Sequence, residues 1–336
     1  MGENNIIIRK AIMHILNTSK NHLEFSDTLL NADYDTCDFI RSHIAKIINN
    51  DDSKSCKFLK ESSEVFNAIS GFREEELEMV SQEIAYHLYE VMSNNIEIPS
   101  ANVLIATFQL NSMIHMAILK LNYKEVFVHS IQKGQQGISN QITKQTTTLP
   151  SMSQSLTEAA VINLHDNSLQ VIEKKYNING IQKNYFTDLF LKCEAELSDK
   201  AKLNIVTKAI KRINKKHYLN DIEKEIEVKS ILYSENIENG EIDIEEVGEE
   251  LYGHDVEILN EFNETLSKYN LQNGKIIPKS SSTIKKFEKQ SLVTGQGIKI
   301  EIPMEQYLRE DKFKIKENRD GTYEIIIKDI ELLKVK

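Results

Sequence analysis

The sequence predicts an α+β fold: a mostly antiparallel N-terminal sheet with helices, a helical middle region and a small mixed C-terminal segment. Three observations carry that expectation. Between Val103 and Lys174 apolar residues fall in alternating or short unbroken runs, as strands require. From Tyr185 to about Lys268 they recur every three or four residues, the helical period. Beyond Ile276 turn signals return at Gly295–Gln296–Gly297 and Asp320–Gly321. With 336 residues the chain is long enough for two cores. The change of pattern divides it into an α+β domain over 1–180 and a helical region over 181–336, the latter ending in a small α/β hairpin segment.

Taken in order, Ile6–Leu16 reads as a strand that turns near Asn17–Asn21, with Leu23–Leu30 returning. Asp33 is placed to cap a helix whose apolar residues are Cys37, Ile40, Ile44 and Ile47. Arg73–Met92 repeats that spacing through Leu77, Val80, Ile84, Leu88 and Val91. Val103–Leu110, Met113–Leu121 and Val126–Ile131 follow as strands, the first two joined tightly at Asn111–Ser112. Gly134–Met152 is polar and rich in Thr, Gln and Ser, and reads as a loop or an edge segment. Ala160–Leu164 and Leu169–Lys174 flank a hairpin turn at His165–Ser168. Helices are expected over Tyr185–Cys193, Lys200–Lys216, Asp221–Asn236, Ile242–Tyr252 and Val256–Lys268, with a short basic one at Ser280–Glu288. A final hairpin runs Lys312–Lys316 to Tyr323–Lys328, where Asp320–Gly321 signals a type I′ turn.

Composition is that of an ordinary globular protein, 40% hydrophobic and 27% charged. No segment approaches the roughly 18 apolar residues of a membrane span, and the N-terminus lacks signal-peptide features. Cys37, Cys56 and Cys193 form no CxxC pair, so neither a disulfide framework nor a zinc site is indicated. These features point to the cytoplasm.

Charge is unevenly placed in a chain of formal net charge −10. Lys200–Lys216 contains seven basic residues and no acidic one. Lys208, Lys211, Arg212, Lys215 and Lys216 stand at i, i+3, i+4, i+7 and i+8, one stripe of a helix. Leu203, Val206, Ile210 and Ile213 occupy another face, which can bury while the stripe faces a phosphate backbone. A solvated helix face is the alternative, because cations suit the last turns of any helix. Glu235–Glu264 is the opposite case, with twelve acidic residues and no Lys or Arg. A second basic group comprises Lys279, Lys285, Lys286 and Lys289, beside Phe287.

Catalytic patterns are weak. Asp33, Asp35 and Asp38 crowd a helix start and suit capping. Asp221 with Glu227 and Lys229 suits a metal nuclease only on a strand, whereas their spacing is helical. No HxxxH, HExxH, GxSxG, Walker A or GxGxxG occurs. His14 and His115 stand among apolar residues, the usual setting of a core histidine. Lys133–Gly137 contains a GxxG, but it follows a strand and does not join two helices.

The order of several phrases carries a resemblance. Ile12–Leu16 and Leu23–Asp27 come first, then Phe39–Ile44, Ile98–Ser100 and Met116–Leu121. Leu149–Ser151, Glu158–Ile162, Tyr185–Cys193 and Gly295–Glu301 through Leu308 follow. This order resembles the 37-kD nucleoid-associated bacterial protein family over nearly the whole chain. The resemblance implies nucleoid association and DNA binding, and it brings no catalytic motif or contact residue with it.

The expectation is therefore a non-enzymatic, nucleoid-associated protein that binds DNA through backbone charge, with no cofactor and no metal. Lys208, Lys211, Arg212, Lys215 and Lys216 are the expected phosphate contacts, with Lys200 and Lys202 in support. Double- and single-stranded DNA both fit, and a homodimer would let the protein bridge duplexes. The alternatives are an interaction module whose acidic 235–264 region recruits a basic partner, and a metal-dependent nuclease.

Overall fold

The computed structural model describes residues 5–134, 137–219, 221–307, 312–330 and 332. The chain forms two compact units that part between Leu197 and Ser198.

The first unit begins with β1 (Ile7–Asn17), β2 (His22–Glu24), α1 (Tyr34–Ile48), β3 (Lys54–Phe58), α2 (Glu64–Ile69) and α3 (Leu77–Ser93). It continues with β4 (Ala101–Leu110), β5 (Met113–Asn122), β6 (Lys124–Gly134), β7 (Gly137–Thr148), β8 (Glu158–Asn163) and β9 (Ser168–Ile172). β10 (Tyr176–Ile178), β11 (Ile181–Lys183), a π-helical turn at Phe186–Leu191 and β12 (Cys193–Ala195) complete it. Eight strands form one sheet in the order β12-β3-β9-β8-β5-β4-β1-β2, every neighbouring pair antiparallel. The segment 181–197 stays with this unit because Cys193–Ala195 pairs with Phe58–Cys56 at the sheet edge.

Helices cover both faces of the sheet. α1 packs Ile40, Ile44 and Ile47 against Leu104, Ala106, Ala117 and Leu119. α2, α3 and the π-helical turn pack Val65, Leu77, Ile84, Leu88 and Phe190 against Ile12, Val103, Ile105, Met116 and Ile118. This explains why β4 and β5 are nearly continuous apolar runs: alternate residues feed two cores, so both sides must be oily.

The connections follow local chemistry. Asp33 caps α1 by accepting from the Thr36 N–H at 2.8 Å. Asn111 and Ser112 both adopt positive φ, +49° and +66°, giving the tight turn expected between β4 and β5. The return strand after β1 is shorter than the expected Leu23–Leu30. Of the return segment, His22–Glu24 pairs with β1 as a strand, and Leu30 meets it again with one bond, its N–H to the Ala11 carbonyl at 2.7 Å. Between them, the Ser26 hydroxyl donates to the Met13 carbonyl at 2.6 Å and the Ser26 N–H to His14 Nδ1 at 3.1 Å, in place of ladder bonds.

The third expected strand lies outside the large sheet. β6 pairs along its length with β7, and the two form a separate ribbon. Gly134–Met152 is thus largely strand, where the sequence suggested a loop or edge segment. Its Thr and Ile residues favour extended backbone, but neither face is buried, so no hydrophobic alternation marks it.

The second unit opens with α4 (Asp199–His217), α5 (Ile222–Asn239), β13 (Ile242–Asp243), α6 (Ile244–Tyr252) and α7 (Val256–Ser267). β14 (Lys275–Ile276), α8 (Ser281–Glu288), β15 (Lys289–Val293), β16 (Lys299–Pro303), α9 (Met304–Tyr307), β17 (Phe313–Glu317) and β18 (Tyr323–Ile327) follow. Ser198, Asp221, Asp243 and Asp255 each cap the helix they precede. Val206, Ile210 and Ile213 of α4 join Leu232, Val247, Tyr252 and Phe262 in its main core. The β17–β18 connection is not the type I′ turn that Asp-Gly suggested. The Gly321 N–H bonds the Asn318 carbonyl at 3.0 Å, so the central residues of the turn are Arg319 and Asp320, neither with positive φ, and Gly321 follows them at φ +77°. The Asp320 carboxylate accepts from both the Thr322 N–H and hydroxyl, which holds Asp320 in ordinary backbone.

Candidate nucleic-acid interface

α4 turns its two faces as the spacing requires. Val206, Ile210 and Ile213 are almost fully buried, and the opposite side carries the cations. Lys208, Lys211, Arg212 and Lys215 are exposed, and none has an ion-pair or hydrogen-bond partner among the described residues. Ser198 and Asp199 start the helix, so its partial negative end coincides with Lys215 and Lys216.

The remaining expected contacts divide. Lys216 Nζ lies 2.7 Å from Glu261 Oε2 on α7, and His217 Nε2 reaches the same oxygen at 2.9 Å. Lys202 is half-buried, its ammonium 3.4 Å from the Lys275 carbonyl. Lys200 is exposed in the first turn. The unpaired stripe is therefore Lys208, Lys211, Arg212 and Lys215, and Lys216 stands at its end already engaged.

The fold also unites two basic segments that are distant in sequence. Lys211 of α4, Lys229 of α5 and Lys286 of α8 line one cleft of about 400 Å³. Asn204, Thr207 and Gln290 add neutral hydrogen-bonding groups, and Glu225 a single carboxylate. Lys229 donates to the Lys289 carbonyl, and burial lowers its pKa from the ordinary lysine value. Sequence spacing did not single out Lys229 as a cation of this surface, because it stands among glutamates on α5. Phe287 is 6% exposed and belongs to the core, so it offers no stacking platform. Lys279 is tied to Asp199 at 3.4 Å.

The acidic stretch is partly consumed by its own fold. Asp243 and Asp255 are caps, Glu241 holds Lys275 at 2.5 Å, and Glu261 takes Lys216. The carboxyls of Glu246 and Glu250 are pushed above the usual range, Glu246 chiefly by the charge of Glu235 and Glu250 chiefly by burial.

Four of the five carboxylates considered for nuclease chemistry hold structural posts, and the fifth, Asp35, stands in the first turn of α1. Asp33 and Asp221 are caps, Asp38 bonds Arg41 at 3.1 Å, and Glu227 pairs with Lys224 at 2.6 Å. Among the described residues no group of three His, Cys, Asp or Glu side chains is placed to hold a metal ion. Gln135 and Gln136 of the GxxG lie outside the described residues, and the flanking Gly134 and Gly137 pair across the ribbon.

One polar constellation of the first unit gave no sequence signal. Lys120 and Glu158 are both fully buried, 3.7 Å apart. Asn122 bridges them, accepting from Lys120 Nζ at 2.5 Å and donating to Glu158 Oε2 at 2.9 Å. Thr157 donates to the same carboxylate oxygen at 2.6 Å, and Lys120 also reaches the Pro99 carbonyl at 3.1 Å. Burial lowers the Lys120 ammonium to about 8. These groups close the ends of β5 and β8 beside a cleft of about 380 Å³ that Tyr123, Tyr176 and Lys174 also line. Lys120 and Glu158 stand 38 positions apart, and only the β5–β8 register places them opposite each other.

Compared with known proteins, the chain has no match among curated sequences. Its residues 12–333 match the family described as nucleoid-associated protein YejK, nearly the full length, and the chain belongs to that NA37 family.

Proposed function

We propose that this protein binds DNA in the bacterial nucleoid through the phosphate backbone, without strong sequence preference and without catalysis. Family membership supports the nucleoid role. The observation that carries the binding mode is the stripe of four exposed, unpartnered cations on α4, adjoining the Lys211–Lys229–Lys286 cleft. Exposed, unpaired cations release condensed counterions from DNA at no cost in broken ion pairs. The acid-rich stretch 235–264 that follows in the chain sets this basic surface apart.

The test is binding of the purified protein to a random-sequence duplex across a salt series. Log affinity should fall linearly with log salt, with slope proportional to the number of phosphates engaged. Charge reversal at Lys211, Arg212 and Lys215 together should weaken binding and flatten the slope. An unchanged slope in that variant removes α4 from the interface.

A second reading has its own observation. The charge of Glu235 raises the Glu246 carboxyl, and Glu250, raised chiefly by burial, also feels Glu235 and Glu246. A basic protein partner would relieve that repulsion, and DNA association would then be indirect. Failure of the pure protein to bind duplex at low salt favours this reading.

A further inference from the structure

The β6–β7 ribbon stands apart from both cores of the first unit. Its register runs from Lys124 opposite Thr148 to Gly134 opposite Gly137, and among the described residues it pairs with no other strand. β7 is exposed along almost its whole length. A two-stranded ribbon of this kind is marginal in water by itself and gains from lying against another surface.

Its two faces differ. Phe127 opposite Lys144, His129 opposite Ile142 and Ile131 opposite Asn140 share one face. On it Phe127, Ile131 and Ile142 are 72%, 57% and 80% exposed, and Ile138 near the tip is 72% exposed. The other face carries Val126 and Val128 near the base and is neutral and polar beyond them. There the Ser130 and Thr143 hydroxyls lie 2.9 Å apart, and Gln141 donates to Gln132 at 3.1 Å.

Charge identifies the partner. The stretch 126–157 contains no Asp or Glu, in a chain holding 51 of them. The one carboxylate at the ribbon base, Glu125, is neutralised by Lys144 at 2.7 Å. The element is therefore free of the charge that a phosphate backbone repels, while Lys124, Lys133 and Lys144 give it a mild positive balance. A second copy would bring the same sign of charge to the same face, whereas a polyanion complements it.

Resting on the DNA reading above, we infer that this ribbon lies in the DNA major groove, its apolar face towards the bases. The groove, roughly 12 Å wide, admits a two-stranded ribbon. The apolar groups that a base pair presents there are thymine methyls, the natural counterparts of Phe127, Ile131, Ile138 and Ile142. Asn140, on the same face, has the donor and acceptor that an adenine edge presents in reverse. The ribbon thus adds a preference for A·T-rich duplex to the sequence-blind attraction of α4.

The experiment compares three duplexes of equal length at one salt concentration: A·T-rich, G·C-rich, and A·T-rich with deoxyuridine replacing thymidine. Wild type should prefer the A·T-rich duplex and lose about fourfold for each methyl contact removed in the uracil duplex. An Ile138→Ser/Ile142→Ser variant changes only exposed positions, and it should lose the preference while keeping the salt-dependent background. Equal binding to all three duplexes, or a preference that survives in the variant, overturns the proposal and leaves phosphate binding by α4 standing. Absence of binding to every duplex instead overturns the DNA reading itself. Sedimentation of both proteins separates the remaining case: a variant that dissociates a wild-type dimer without changing DNA preference shows that a second copy covers this face.

Discussion

Glu261 Oε2 receives Lys216 Nζ at 2.7 Å and His217 Nε2 at 2.9 Å, so one carboxylate from α7 closes the end of the basic stripe on α4. Hydrogen bonds from Lys216 and His217 hold the Glu261 carboxyl below the usual range. The acidic and basic segments, opposite in charge and distant in sequence, meet here.

Substituting Glu261→Gln should therefore strengthen DNA binding. Lys216 would be released to reach a phosphate, and the salt slope should steepen by about 0.9 for one added contact. A fluorescence-anisotropy titration at several salt concentrations reads this directly. The sign for stability is the reverse. A carboxyl depressed in the folded state contributes stability above its unfolded pKa and loses it as pH falls through the folded value. Wild type should thus show a small acid-dependent loss that Glu261→Gln lacks.

Single Lys→Ala changes along the stripe should be graded by their partners. Lys208→Ala and Lys215→Ala remove unpaired exposed ammoniums and should each flatten the salt slope by about 0.9. Lys216→Ala removes a cation already spent on Glu261 and should change the slope less. All three variants should melt near the wild-type temperature, because exposed cations add little to stability.

The buried Lys120–Glu158 pair should be costly to halve. Lys120→Met alone leaves an uncompensated carboxylate and should destabilise by about 3–5 kcal/mol. Adding Glu158→Leu should recover much of that loss, as urea denaturation of the single and double variants would show. Lys120 has a second signature in pH. Its folded-state value of about 8 lies below the roughly 10.4 of an unfolded lysine. Between those values the unfolded chain binds more protons, so wild-type stability should rise with pH in that window, and the rise should be absent from the double variant.

His43 should contribute to acid sensitivity. Burial lowers its pKa to about 4, its ring lying edge-on to Phe39 at 4.7 Å. From about pH 6.5 down to 4 the unfolded chain takes up a proton that the folded chain refuses, so stability falls across that window. His43→Leu should flatten this part of the stability–pH curve, measured as the urea midpoint. His14 has the same lowered pKa and would keep part of the slope in that variant.

Ser112→Gly should stabilise the β4–β5 turn. Ser112 sits at φ +66°, where a side chain is strained and glycine is not. The strain relieved exceeds the entropy that glycine adds to the unfolded chain, so a net gain of about 0.5–1 kcal/mol is expected in thermal denaturation.

Most of the large sheet and the helices could be read in the sequence because they are amphipathic or doubly buried, and burial writes a period into the chain. Asp33, Asp221, Asn111 and Ser112 added the stops that locate their ends. The ribbon strand Gly137–Thr148 left no such period, since neither of its faces is buried. The candidate interface was half legible. Lys208, Lys211, Arg212 and Lys215 lie within two turns of one helix, so spacing alone aligned them. Lys229 and Lys286 reach Lys211 only through the packing of α5 on α4 and of α8 on α5.

The sequence by itself determined the fold class, the two faces of α4 and the family, because each depends on residues close in the chain or on the order of phrases along it. Tertiary structure alone decided which cations are free. Pairing Lys216 with Glu261, sealing Lys120 against Glu158 and leaving the β6–β7 ribbon exposed are outcomes of contacts across the fold. The physical reason is that charge and burial act through space over a few ångströms, whatever number of residues separates the partners along the chain.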